Sequence, residues 1–332
     1  MAHQFESGFF VGKTAWHGLG TTLPADTSLS VSEGLAAAGL NWRVGILPLD
    51  VSLDLDPPDL PTGEFHPLAG ERTDARVTYR ESDNTILGVV GKRYEPLQNI
   101  EAFEWFQPFL DSEEASLHTA GSLHDGKRVW VLAKLNRRAI EVTEGDLVEK
   151  YLLLSNSHDG STCVRVGFCP IRVVCANTLS MAHQAGQLLR LRHTASLKAT
   201  LDDVRNIVNT ANVSFEATAQ QYQLLATRAI ERSDVTKYVK QVVLEIDPET
   251  SWNDLTTRKQ NILTDVLARY EQPVGGQYVE LKPTWWRAYN AVTEHLSYAS
   301  GRNQNSRLQN LWYGTGHKRS QQALSTALRL SS

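Results

Sequence analysis

Two similar stretches, Leu123-His124-Asp125-Gly126-Lys127-Arg128-Val129-Trp130 and Ser157-His158-Asp159-Gly160-Ser161-Thr162-Cys163-Val164, decide the fold of this chain. In each stretch an Asp-Gly pair joins two runs of β-forming residues. This is the strongest local signal for a β-hairpin, because a type I′ turn needs positive φ at both central residues. The two predicted hairpins form an antiparallel β-meander, in which residues 115–123 pair with 128–135 and residues 151–157 pair with 162–168.

Helical patterns lie on both sides of this meander. Upstream, residues 99–110 place Phe103, Phe106 and Leu110 at helical spacing. Downstream of Asn177 the pattern is helical throughout, with predicted helices over residues 200–232, 235–244, 255–270, 284–298 and 319–330. The expected fold is α+β: an antiparallel β-meander with packed helices, followed by a mainly helical C-terminal half. We expect a core domain over residues 1–198, with an N-terminal arm rich in glycine and aromatic residues, and a helical region over 199–332.

Charge is divided unevenly along the chain. Residues 1–160 contain 13 Lys and Arg against 24 Asp and Glu, whereas residues 161–332 contain 20 against 13. Two segments, 161–201 and 295–332, have no acidic residue at all. Unopposed basic segments attract polyanions, of which nucleic acid is the commonest. The alternative is that the two halves neutralise each other within the fold or between subunits.

Several motifs, in this order and spacing, resemble one family. They are Trp16-His17-Gly18-Leu19-Gly20, Gly91-Lys92-Arg93-Tyr94 followed by Gln98-Asn99, Ser157-His158-Asp159-Gly160-Ser161, the segment from Arg172 to Leu179, and Trp312-Tyr313-Gly314. The chain resembles the phage/plasmid-like proteins of unknown function. The resemblance implies a protein of a mobile element in a bacterial cytoplasm, and it implies no established activity or catalytic residue. The sheet-and-helix core is also similar to that of the Rad52-like single-strand annealing proteins.

The leading hypothesis is a non-enzymatic protein that binds single-stranded DNA in recombination, annealing or strand protection. The predicted binding groove consists of Lys127, Arg128, Arg165, Arg172, Arg190 and Arg192. Arginine is well suited to this role because its planar fork binds two phosphate oxygens at once.

Aromatic residues near these cations have more than one interpretation. Trp130 is either a base-stacking ring or a core residue under the sheet. The C-terminal rings could stack on bases, form a subunit interface or pack in the core; they are Trp285, Trp286, Trp312 and Tyr313.

An enzyme is the second hypothesis, either a metal-dependent nuclease or a hydrolase. Its candidate residues are His124, Asp125, His158, Asp159 and Cys175, although turn structure already explains both His-Asp-Gly motifs. The three cysteines are six residues apart, which does not fit a zinc site, so no metal is expected. The chain contains neither a phosphate-binding P-loop nor a dinucleotide-binding glycine motif, so no cofactor is expected.

A third hypothesis is an interaction module that acts on a host protein. The narrow apolar seam of the predicted helix 200–232 would then join subunits of a homo-oligomer. The start of the chain does not resemble a secretory signal, and no apolar run approaches the roughly 20 residues that span a bilayer. We therefore expect a cytoplasmic protein without a membrane partner.

Overall fold

The structure is a computed structural model. It describes residues 5–12, 19–50, 72–136, 139–172, 188–210, 212–273, 282–300 and 315–332. The following description covers these residues.

The main sheet has eight strands in the order β11-β10-β9-β7-β6-β1-β2, with β8 paired to β9. The strands are β1 Phe5–Val11, β2 Thr21–Leu23, β6 Ala115–Leu123, β7 Arg128–Leu135, β8 Ile140–Thr143, β9 Asp146–Ser157, β10 Val164–Arg172 and β11 Leu189–Leu191. Its centre is the antiparallel meander β6-β7-β9-β10, and β1 pairs antiparallel with β6 and parallel with β2. The small sheet is antiparallel and contains β3 Val44–Asp50, β4 Arg72–Arg80 and β5 Ile86–Gly91.

The helices come before and after the meander in the chain. They are α1 Val31–Ala37, α2 Asn99–Glu104, α3 Gln107–Asp111, α4 Leu197–Thr210, α5 Asn212–Thr227, α6 Arg232–Val242, α7 Thr257–Glu271, α8 Trp285–Tyr298 and α9 Thr315–Ser331. No helix among the described residues is long and apolar enough to cross a membrane.

Both faces of the main sheet are buried, so its strands supply two hydrophobic cores. Alternate residues of a strand point to opposite faces, and Val129 and Val131 accordingly pack with α1 to α4, whereas Trp130 and Leu132 pack with the C-terminal helices. Because both faces are covered, the central strands β7 and β9 are buried along almost their whole length. The α+β prediction, with an antiparallel meander and a mainly helical C-terminal half, is confirmed.

Both predicted hairpins are present, but their turns differ from each other. The first turn, residues 124–127, has positive φ at His124, Asp125 and Gly126. The second loop, residues 158–163, is longer and has positive φ only at Gly160. The prediction of a type I′ turn for both pairs is therefore wrong for the second loop.

Two of the predicted helices differ most from the structure. The helix predicted over 99–110 is divided into α2 and α3, with Pro108 in the first turn of α3. The helix predicted over 200–232 ends at Thr227, because the next residues pair with the segment before α8: Ala229 forms a β-bridge with Thr284, and the Ile230 N–H donates to the Pro283 carbonyl.

The seam of that predicted helix does not run along one exposed surface. Residue 211, between α4 and α5, is outside the described residues. Leu201 and Val204 of α4 pack on one face of the main sheet, whereas Tyr222 and Leu225 of α5 belong to the core on the other face. These four residues are therefore buried within one protomer. The predicted domain boundary at residue 198 falls inside α4.

Candidate functional site

The second loop lies against the small sheet. The hydroxyl of Thr78, on β4, donates a hydrogen bond of 2.6 Å to the carbonyl of His158. The hydroxyl of Tyr94, just after β5, donates one of 2.7 Å to the carbonyl of Ser157. These bonds connect motifs that are more than 60 residues apart in the chain.

The imidazole of His158 fixes the loop from inside. It is fully buried, its Nε2 lies 2.9 Å from Asn99 Oδ1, and its ring meets the edge of Trp42 at 5.5 Å. Asn99 in turn donates to the Leu40 carbonyl at 3.1 Å. Burial lowers the pKa of His158 to about 3, so the ring is neutral at physiological pH.

A missing side chain lets the loop approach the sheet closely. A Cβ on Gly88, in β5, would lie 2.5 Å from Asp159 Cα. Real side chains do not tolerate that distance, so glycine is required there. The Asp159 carboxylate accepts hydrogen bonds from the backbone N–H of Ser161 at 2.9 Å and from its hydroxyl at 2.5 Å. Asp159 therefore orders the loop from within.

A cleft of about 630 Å³ opens where this loop meets the small sheet. We call it the basic cleft. Its walls are Asp74, residues 91–94, residues 160–163 and residues 192–194. The floor is rigid, because the ring of Tyr94 stacks on that of His193 at 4.5 Å and His193 Nδ1 contacts the Glu95 carbonyl at 3.2 Å.

The charges of the cleft are mostly positive. Lys92 forms an ion pair of 2.7 Å with Asp74, the one acidic residue among the described residues of the lining. Arg93 and Arg192 are exposed, and neither side chain pairs with another described residue. Burial lowers the pKa of His193, so this ring adds no positive charge at neutral pH. The side chains of Thr162 and Cys163, a free and half-buried thiol, complete the lining.

The six residues of the predicted groove do not form one line. Arg165 and Arg190 are direct cross-strand neighbours on β10 and β11, and Arg192 lies in the basic cleft. Arg128 is buried and donates to the Ser161 hydroxyl at 3.0 Å, so it supports the second loop from below. Lys127 is half-buried in the first turn.

Arg172 is separated from the other residues of the predicted groove. It pairs with Val148 at the far end of β10, seven residues or roughly 23 Å along the strand from Arg165. A single groove that includes Arg172 is therefore not supported. Conversely, the groove prediction omitted Lys92 and Arg93, although the Gly91-Lys92-Arg93-Tyr94 motif was available in the sequence.

Three of the candidate stacking rings are core residues. Trp130, Trp285 and Trp286 are only 2%, 5% and 3% exposed. The Trp286 indole donates a 2.8 Å hydrogen bond to Asp146 Oδ2, and Trp285 meets Tyr238 edge-on at 5.5 Å. The stacking and interface interpretations are therefore wrong for these three, because the helices on that face of the sheet already cover them. Trp312 and Tyr313 lie outside the described residues.

Four of the five alternative catalytic residues lie among the described residues, and each has a structural setting there. His158 is sealed from solvent, Asp159 is engaged within its own loop, and the first turn carries a half-buried His124 and an exposed Asp125. Cys175 lies outside the described residues. Among the residues that the structure describes, no group of three or more His, Cys, Asp or Glu side chains is placed to hold a metal ion.

Comparison with known families identifies a match. The model of a family described as a domain of unknown function, DUF932, matches residues 86–312, well over half of the chain. All three backbone segments of the basic cleft fall within this span. The chain matches no curated protein and no solved structure.

Proposed function

The chain belongs to the DUF932 family, a family of unknown function, and we propose that the protein binds nucleic acid through the basic cleft, with single-stranded DNA as the favoured ligand. One observation carries this proposal: Arg93 and Arg192, almost 100 residues apart in the chain, line one concave site, and neither is paired with a carboxylate of a described residue, since Asp74 pairs with Lys92.

The cleft has the chemistry of a phosphate site. Exposed guanidinium groups bind phosphate oxygens in a bidentate manner and keep their charge at every physiological pH. The Thr162 and Thr194 hydroxyls in the lining can donate further hydrogen bonds. Because Tyr94, His193 and the second loop are held by buried contacts, the backbone segments that carry these donors are in place before the ligand arrives.

The size of the cleft favours a single strand. Its 630 Å³ is typical of pockets that hold a small molecule, roughly 300–1,000 Å³, which is room for one or two nucleotides but not for a duplex. Arg165 and Arg190, on the neighbouring strands β10 and β11, could follow the backbone of a strand as it leaves the cleft.

The origin and the biological role of the protein are part of the same proposal. We propose that the protein is encoded by a phage or plasmid and acts in annealing or protection of single strands as a homo-oligomer. The element order, helix α3, then the antiparallel meander, then helix α4, is compatible with the core of single-strand annealing proteins, although many α+β folds share it.

A fluorescence anisotropy titration with a labelled oligonucleotide tests the proposal. The test variant is Arg93→Ala/Arg192→Ala, and the control is Arg258→Ala, which removes an exposed cation from α7. We expect the double variant to bind at least about tenfold more weakly, since two phosphate contacts are lost, and the control to bind like the wild type.

Three outcomes would contradict the proposal in different ways. Equal loss in both variants would mean that binding is diffuse and does not depend on the cleft. No binding by the wild type at low salt would remove the nucleic-acid function itself. Shortened oligonucleotide after incubation with magnesium would replace binding by the nuclease alternative.

A further inference from the structure

Positive side chains outnumber negative ones in the described lining of the basic cleft. Lys92 and Asp74 cancel each other at 2.7 Å, and His193 is neutral because burial lowers its pKa. Arg93 and Arg192 remain, so the described lining has two uncompensated positive charges. A phosphodiester in the middle of a strand carries one negative charge, whereas a terminal phosphate carries about 1.5–2 negative charges near pH 7. The terminal phosphate therefore matches the two positive charges better.

The surface beyond the cleft changes abruptly at the small sheet. The outer face of that sheet carries no charged side chain along its paired residues Gly45, Leu47, Val77, Tyr79, Ile86 and Val89. It is also strongly apolar, since Leu47, Ile86 and Val89 are 53%, 63% and 57% exposed. A polyanion gains nothing by continuing across such a face, because phosphate affinity depends on nearby cations.

On the opposite side of the cleft the cations continue. Arg190 is exposed on β11, two residues before Arg192, and Arg165 is its cross-strand partner on β10. The basic surface of the described residues therefore approaches the cleft along β10 and β11 and ends at the small sheet.

We propose, on the basis of the function proposed above, that the basic cleft receives the terminal phosphate of a strand, a phosphomonoester, and not an internal phosphodiester. Arg93 and Arg192 neutralise the dianion, and the Thr162 hydroxyl, which has no partner among the described residues, donates to its third terminal oxygen. The strand then leaves past Arg190 and Arg165, and the uncharged face of the small sheet prevents it from passing through.

The test compares one oligonucleotide of about 20 nucleotides in four forms: with a 5′-phosphate, with a 3′-phosphate, with neither, and closed into a circle. The label is placed on an internal base so that both ends stay free. We expect one of the two phosphorylated forms to bind at least about tenfold more tightly than the unphosphorylated and circular forms. That preference should disappear in Arg93→Ala/Arg192→Ala and persist in Arg258→Ala.

The outcomes separate this inference from the function on which it rests. Equal affinity for all four forms, with cleft-dependent binding, would overturn the terminal-phosphate site and leave single-strand binding intact. A preference that survives in the double variant would also overturn it. A phosphorylated mononucleotide that competes as well as the whole strand would instead overturn strand binding and make a free nucleotide the ligand.

Discussion

The first turn and the second loop share the sequence His-Asp-Gly but have different structural roles. His124 is half-buried in a turn of four residues, whereas His158 is fully buried and contacts Asn99 and Trp42. Gly126 packs against Arg80 and Trp42, whereas Gly160 lines the basic cleft. The same three residues therefore close a hairpin in one place and build the wall of a candidate site in the other.

The difference arises from the neighbours of each loop. Arg80, on β4, donates to the Asp125 carbonyl at 2.7 Å and to Glu6 at 2.6 Å, which anchors the first turn at the surface. The second loop instead lies over Gly88, where the small sheet has no side chain. A local motif thus determines that a hairpin forms, and the packing partner determines what the hairpin does.

Replacement of the two histidines should expose this difference most strongly. His158→Ala removes a buried ring and leaves Asn99 Oδ1 without its partner, so we expect a loss of about 3 kcal/mol in the free energy of unfolding. His124→Asn should cost less than about 1 kcal/mol, because asparagine tolerates the positive φ of this turn and the replaced ring is only half-buried. Urea denaturation of both variants measures the costs, and equal costs would remove the distinction between the loops.

Acid should weaken the protein through the same buried histidine. The folded pKa of His158 is about 3, below the unfolded value of 6.5, so its contribution is complete above pH 6.5 and is lost as pH falls toward 3. From pH 7 to pH 5 the free energy of unfolding should fall by about 2 kcal/mol through this group. Burial also lowers the pKa of His118, to about 4, so this residue adds to the loss of stability over the same pH range.

A variant pair isolates the contribution of His158. The phenyl ring of His158→Phe cannot titrate, so the fall in the free energy of unfolding from pH 7 to pH 5 should be about 2 kcal/mol smaller in this variant. In His124→Asn, where asparagine tolerates the same backbone, the fall should be that of the wild type. Urea denaturation at the two pH values is the measurement. An unchanged pH dependence in His158→Phe would show that other groups cause the acid sensitivity.

The glycines should show a smaller, graded effect. Gly126→Ala should cost about 1–2 kcal/mol, because φ is +84° and a Cβ would lie 2.5 Å from Arg80 Nη2. Gly160→Ala should cost about 1 kcal/mol, since φ is +71° but the nearest atom, on Val90, is 3.0 Å away. Gly91→Ala, with open space around it, is the control and should be neutral. Thermal denaturation ranks the three variants, and any other order would contradict the contacts described.

The fold was largely predictable because its signals are local. The hairpins follow from Asp-Gly pairs between β-formers, and the C-terminal helices follow from apolar spacing within each segment. The end of α5 at Thr227 was not predictable, because it depends on a bridge from Ala229 to Thr284, 55 residues later. The burial of Trp286 depends likewise on Asp146, 140 residues away.

The candidate site was only partly predictable. Arg192 was expected to bind phosphate because it lies in an acid-free segment, and the structure places it in the basic cleft. Arg93 lies in the acidic half of the chain, so charge counting overlooked it, although its motif belongs to the family resemblance. The meeting of these two residues depends on the stack of Tyr94 on His193, a contact between distant segments that spacing in the sequence does not reveal.

The most direct test of the basic cleft is the salt dependence of single-strand binding. Binding constants of the wild type, Arg93→Ala/Arg192→Ala and Arg258→Ala would be measured from about 50 to about 200 mM salt. Each lost phosphate contact lowers the slope of log K against log salt by about 0.7, so we predict a slope about 1.4 smaller for the double variant and an unchanged slope for the control. A slope that is the same for all three proteins would contradict a role of the cleft in phosphate binding.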